Sequence, residues 1–154
     1  MIVLSWNCRG LGNRRAVQVL ADLVRKQGPK ISFLMETKLT KTELEPIQRE
    51  LNFHSMIVVP SRGRSGGLAL MWKDDVLLNT QTVSPNHIDA YVSYPVQVQW
   101  RLTRFMATPR TIGKVRLGIL CVICTATRPY HGYALVTLMR YCPRMKRMVE
   151  YLSR

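Results

Sequence analysis

The chain has 154 residues, 47% of them apolar, and 23 Lys and Arg against 9 Asp and Glu for a formal net charge of +14; this is one domain's length, or part of a larger domain, with enough apolar content to exclude wholesale disorder. No apolar run approaches the ~18–20 residues needed to cross a bilayer, so no membrane partner is expected. The opening at Met1 has neither a basic region nor a long apolar core, which argues against a signal peptide, and four cysteines in a chain this long do not make a disulfide scaffold.

Taken in order, the first stretch alternates strands and helices. Residues 2–7 form a short apolar run ending on Asn7, and a turn-rich segment from Cys8 to Asn13 follows, with Asn13 placed to cap a helix. Ala16, Val17, Leu20, Leu23 and Val24 recur at helical spacing until Gly28-Pro29 stops them. A second strand-like run ends on Glu36. Thr40 with Glu43 three residues on predicts a capping box, and Leu44, Ile47 and Leu51 supply that helix's apolar face; Pro46 is placed in or just past the first turn. Strand-like runs then cover 56–59, 68–72, 76–83, 88–94 and 96–105, punctuated by Gly66-Gly67 and Ser84-Pro85-Asn86. Two β-α units followed by a run of strands predict an α/β layered sandwich with a mixed sheet.

Composition changes near residue 105. Residues 1–105 hold 14 basic and 8 acidic side chains, a net of +6, whereas 106–154 hold 9 basic and 1 acidic, Glu150, a net of +8. Three of the four cysteines and four of the six tyrosines also lie in the second stretch. Either this is a basic nucleic-acid-binding tail or it is not the evolved partner of the first stretch.

Asn7 and Glu36 each close a predicted strand. If those strands are neighbours, the two side chains emerge at one sheet edge, where α/β folds build sites. An amide and a carboxylate there can hold Mg²⁺ and a phosphate oxygen, since Mg²⁺ takes oxygen ligands and keeps several waters. The structural alternative, which pattern alone favours, is an asparagine in a turn and a glutamate capping the next helix.

The blocks Leu4-Ser5-Trp6-Asn7-Cys8-Arg9-Gly10-Leu11-Gly12 and Phe33-Leu34-Met35-Glu36-Thr37-Lys38-Leu39 resemble the opening of the endonuclease/exonuclease/phosphatase family. They are most similar to the endonuclease domain of plant LINE-type (non-LTR) retrotransposon proteins. The likeness continues from Val59 through Gly66-Gly67 to Lys73, through Asn86-His87-Ile88-Asp89-Ala90, and through Trp100-Arg101-Leu102-Thr103. It spans about residues 1–105, in several blocks in family order.

The resemblance implies the N-terminal part of a four-layer α/β sandwich, truncated, and Mg²⁺-dependent hydrolysis of a phosphodiester. It implies DNA as partner and no small-molecule cofactor. Asn7 matches the asparagine that positions the phosphate and a metal-bound water, and Glu36 matches the metal-binding glutamate; the metal neutralises phosphate charge while an oriented water attacks in line. The family also uses an Asp-x-Asn motif, a distal Asp-His pair and a tyrosine in a Gly-Phe-Tyr-Gly-x-Pro block.

Here the chain departs from the pattern. It reads Arg104-Phe105-Met106-Ala107-Thr108-Pro109 where the tyrosine block is expected, no Asp follows Asp89, and the distal pair is missing. Losing one general base typically costs ~10²–10⁴ in rate, so a domain lacking most of the constellation is expected to be inactive. Back-translation suggests a cause: a single-base deletion near the 105–106 junction. Restoring one base lets Met106-Ala107-Thr108-Pro109 regroup as Tyr-Gly-Asn-Pro. In the same phase, Val136 through Tyr141 regroup as Gly-Asp-Phe-Asn-Glu-Ile, which contains the Asp-x-Asn. On this reading residues 106–154 are a frame-shifted basic tail that adds little to the fold.

The remaining motifs then weigh less. Cys121-x-x-Cys124 with His131 and Cys142 has no second CxxC to make a zinc site. Arg140, Arg144, Lys146 and Arg147 would bind nucleic acid by charge alone. His87 reads as structural, Asp74-Asp75 as a turn, and Arg62 and Arg64 as loop residues within reach of phosphates. The alternative function is a non-enzymatic basic protein with loose nucleic-acid binding.

Overall fold

The computed structural model describes residues 1–61, 63, 66–93, 99–105, 122–126 and 134–138 of the chain; at 99, 100, 104, 105 and in the last two stretches it describes the backbone alone. The elements in order are β1 (Ile2–Asn7), α1 (Arg14–Gln27), β2 (Ile31–Met35), α2 (Lys41–Glu50), β3 (Ser55–Val59), β4 (Leu68–Trp72), β5 (Leu77–Ser84), β6 (His87–Ser93), β7 (Gln99–Phe105), β8 (Val122–Ala126) and β9 (Ala134–Leu138).

Both helices start and stop where local chemistry directs. The Asn13 side chain accepts from the Ala16 N–H at 2.7 Å, and α1 ends at Gly28 in the left-handed region, φ +58°, where a residue without Cβ is unstrained. At α2 the capping box forms: the Thr40 N–H donates to Glu43 Oε2 at 2.7 Å and the Glu43 N–H donates to Thr40 Oγ1 at 3.4 Å. Pro46 lies inside α2, sixth from its start and just past the first turn, so the Thr42 carbonyl forgoes the hydrogen bond a proline cannot donate.

The strands form two sheets. The first has the order β3-β4-β2-β1-β9, with β1 parallel to both β2 and β9 and β4 antiparallel to β2 and β3. The second, β5-β6-β7-β8, is antiparallel throughout and carries a bulge between Thr80 and Thr82. Period-two alternation splits the first sheet's side chains between two cores. Leu4, Trp6, Leu34, Ala69 and Met71 pack under Leu20, Ala21 and Val24 of α1 and Leu44 and Ile47 of α2. Val3, Ile31, Phe33, Met35, Leu68 and Leu70 face Ile88, Val92 and Leu102 of the second sheet. Burial on both faces explains why β1, β2 and β4 read as continuous apolar runs.

This mixed α/β architecture, two stacked sheets with helices outside the first, agrees with the N-terminal part of the layered sandwich expected from sequence. Among the described residues no helix covers the second sheet's outer face, and none is long and apolar enough to cross a membrane. β8 and β9 fall in the segment read as frame-shifted, yet both join the sheets. Val122-Ile123-Cys124-Thr125-Ala126 is rich in β-branched residues, which fit a pleated surface whatever the history of the segment.

Candidate active site at the carboxyl ends of β1 and β2

Asn7 is the last residue of β1, level with Met35, the last of β2; Glu36 follows immediately. Because the strands are adjacent and parallel, both residues stand at one edge of the sheet, as the sequence suggested. The loops leaving that edge are stitched together. The Cys8 N–H donates to the Met35 carbonyl at 2.8 Å, Gly10 to Glu36 at 2.7 Å, and Leu11 to Thr37 at 2.9 Å. On the other side, the N–H groups of Thr37 and Lys38 donate to the carbonyls of Gly67 and Gly66, each at 3.2 Å.

Backbone strain gathers here. Of the four non-glycine residues with positive φ among the described ones, Arg9 (+53°), Glu36 (+52°) and Lys38 (+57°) belong to this edge. The fourth, Asn52, lies just past the end of α2. Such conformations cost ~1–3 kcal/mol each and persist where surrounding structure over-determines them, most often at functional sites.

Asn7 and Glu36 are half-buried, while Arg9 and Lys38 are exposed. Asn7 Oδ1 accepts from the Arg9 N–H at 3.1 Å, which fixes the amide; a carbonyl oxygen has a second lone pair, and the amide's N–H₂ can still donate. Behind them the Cys8 thiol is buried, and its pKa is pushed well above the ordinary range by desolvation, with the nearby Glu36 charge adding to the effect. Thr37 is fully buried, and its Oγ1 has no hydrogen-bond partner among the described residues.

The sequence reading missed Thr37 and treated Gly66-Gly67 as punctuation. Two consecutive glycines before an apolar strand were the available signal: both take positive φ, +85° and +88°.

The other singled-out residues lie elsewhere. The His87 ring pairs with Ser84 Oγ at 2.6 Å and Thr82 Oγ1 at 3.0 Å across the β5–β6 hairpin, a structural arrangement. Asp74 and Asp75 form a turn at the opposite end of the first sheet, where Asp75 pairs with Lys30. Arg62, Arg64, Cys121, His131, Arg140, Cys142, Arg144, Lys146, Arg147 and Glu150 lie outside the described residues.

Among the described residues no group of three or more His, Cys, Asp or Glu could hold a metal. A complete protein cage is therefore not formed by them. Glu36 and Asn7 nevertheless match the oxygen donors that Mg²⁺ accepts, because that ion is commonly held by one or two carboxylates, with waters and substrate phosphate completing its shell.

Two sheets stacked face to face, with both helices packed outside the first, make a layered α/β sandwich. The chain belongs to the endonuclease/exonuclease/phosphatase family, which it matches over residues 4–149, and this family is generally metal-dependent. Among solved structures it is similar to the AP endonuclease LMAP of Leishmania major, with 18% identity and a TM-score of 0.50 over 68% of this chain and 40% of that one. TDP2 of Caenorhabditis elegans is a more distant likeness, at 19% identity and a TM-score of 0.37 over 67% of this chain and 30% of that one. The chain thus spans about 40% of the length of the Leishmania enzyme. No curated protein matches it.

Proposed function

We propose that this chain is the opening part of a Mg²⁺-dependent DNA endonuclease domain of the plant LINE-type retrotransposon kind, with Asn7 and Glu36 as its site residues, and that it does not hydrolyse DNA by itself. The observation that carries the reading is the adjacency of those two residues at the ends of parallel strands, with Glu36 held in a left-handed conformation. Glu36 would hold Mg²⁺ with the Asn7 oxygen beside it, and the Asn7 amide would donate to a phosphate oxygen. When bound, the ion supplies charge neutralisation at a scissile phosphate. Arg9 and Lys38, exposed at the same edge, would hold the DNA backbone by charge.

Inactivity follows from the missing proton acceptor. No Asp follows Asp89, and Glu150 is the one acidic residue after it. Among the described residues, Glu36 belongs to no cluster of three or more His, Cys, Asp or Glu that would bring further carboxylates to activate water.

A plasmid-nicking assay with and without Mg²⁺ tests both parts. The expected result is no nicking by wild type or Glu36→Ala. Metal-dependent nicking lost in Glu36→Ala would keep the site assignment and overturn inactivity. Nicking unaffected by Glu36→Ala would sink the assignment.

The net charge of +14 favours one second reading, a basic protein that binds nucleic acid loosely without catalysis. The logarithm of its binding constant would fall linearly with log salt concentration, at a slope of about −0.9 per phosphate neutralised on duplex DNA. Salt-independent binding would count against it.

A further inference from the structure

We propose that Gly67, acting through Thr37, is the positioning residue for the Glu36 carboxylate; the inference rests on the reading of Glu36 as a metal ligand. Glu36 lies in a single rung of backbone clamped from both sides. Its own carbonyl accepts from Gly10, and the next two N–H groups, of Thr37 and Lys38, donate into the Gly66–Gly67 turn. The glycine pair therefore closes the clamp that keeps residue 36 at φ +52°.

Gly67 leaves no slack in this contact. A Cβ added there would lie 2.5 Å from Thr37 Oγ1 and 3.0 Å from the Lys38 nitrogen. The Thr37 side chain is fully buried and cannot swing into solvent to make room. Any side chain at 67 must push the 37–38 backbone away, and Glu36, one residue upstream, turns with it. Gly66 is the internal control. Its φ of +85° nearly equals the +88° of Gly67, yet a Cβ there meets none of the described residues within 4 Å. Alanine at either position brings the same backbone strain, and only position 67 adds displacement of the rung.

The test uses isotope-labelled intact chain, with Gly66→Ala, Gly67→Ala and Gly67→Ala/Thr37→Ala compared by NMR. One readout is the Glu36 amide and carboxyl-carbon signals; the other is Mn²⁺-induced broadening at Asn7 and Glu36. Gly67→Ala is expected to move the Glu36 signals and weaken Mn²⁺ binding by about tenfold or more, the usual effect of losing a group that orients a metal ligand. Gly66→Ala is expected to change neither, although both variants melt earlier than wild type. Removing Thr37 Oγ1 in the double variant relieves the contact and returns the Glu36 signals toward wild type.

Equal Glu36 signals in the two single variants would overturn the proposal. If Gly67→Ala does not fold, the double variant decides: folding with near-wild-type Glu36 signals supports the positioning role, and failure to recover overturns it. Absence of Mn²⁺ broadening in wild type would instead refute the metal-ligand reading, while the signal positions still judge the clamp.

Discussion

Arg101 holds Asp89 in a two-pronged pair across β6 and β7, with Nε 3.0 Å from Oδ1 and Nη2 2.7 Å from Oδ2. Thr103 Oγ1 donates a further bond at 2.6 Å, and Asp89 is 2% exposed whereas the Arg101 side chain is 49% exposed. The asymmetry predicts unequal mutations. Asp89→Asn loses charge-assisted bonds and costs about 1.5–3 kcal/mol. Arg101→Ala costs more, because it strands a buried carboxylate, whereas losing the aspartate leaves a guanidinium that water can solvate. Denaturant unfolding of both variants checks the order.

The same pair sets an acid limit. The hydrogen bonds from Arg101 hold the Asp89 carboxyl below its ordinary value, with Thr103 adding to the effect. Its folded value is thus depressed relative to the unfolded chain. The stability it contributes is complete above the unfolded value of about 3.9 and is lost as pH falls through the folded one. A melting series from pH 6 downward, roughly in whole units, should show a smaller acid-induced loss in Asp89→Asn than in wild type.

Thr40 tests the start of α2. Thr40→Ala removes the side-chain half of the capping box and should cost about 1 kcal/mol in unfolding free energy. Thr40→Ser should recover most of it, since the hydroxyl is what the Glu43 N–H uses.

Pro46 offers a stabilising change. It is exposed and lies within α2, where it leaves the Thr42 carbonyl without its helical donor. Pro46→Ala supplies that donor and should raise stability by up to about 3 kcal/mol. An unchanged midpoint in denaturant would count against this account.

Cys8 should be inert in the folded chain. Burial shields the thiol, and desolvation with the Glu36 charge disfavours its thiolate, the reactive form. Peptide mapping after treatment with a thiol reagent at neutral pH should find Cys8 unmodified under native conditions and fully modified in strong denaturant.

Much of this architecture was legible in local sequence. Asn13 and Gly28 bound α1 and Thr40-Glu43 starts α2, because capping chemistry acts within four residues. The run 2–7 coincides with β1, and the run 31–36 passes the end of β2 at Met35 by one residue, so Asn7 and Glu36, the proposed site residues, were placed at neighbouring strand ends. What escaped was non-local. The left-handed turn at Glu36 depends on hydrogen bonds from Gly10 and to Gly66–Gly67, some distance away in the chain, and no pattern around residue 36 encodes them. Periodicity placed the start of β5 one residue early, because the buried Val76 reads as part of the apolar run although its N–H closes the preceding turn by donating to the Lys73 carbonyl. β8 and β9 escaped because a change in composition says nothing about which existing strand a later segment will pair with.

The place of β1 between β2 and β9 has a consequence for the order of assembly. β1, α1 and β2 are consecutive, so their parallel pairing closes a short loop, whereas β9 reaches β1 only after seven further elements have been made. Loop-closure entropy therefore favours the β1–β2 seam as the early folding event and leaves docking of β9 for last. During synthesis, the edge bearing Asn7 and Glu36 would take shape before the strand that flanks β1 on its other side had left the ribosome.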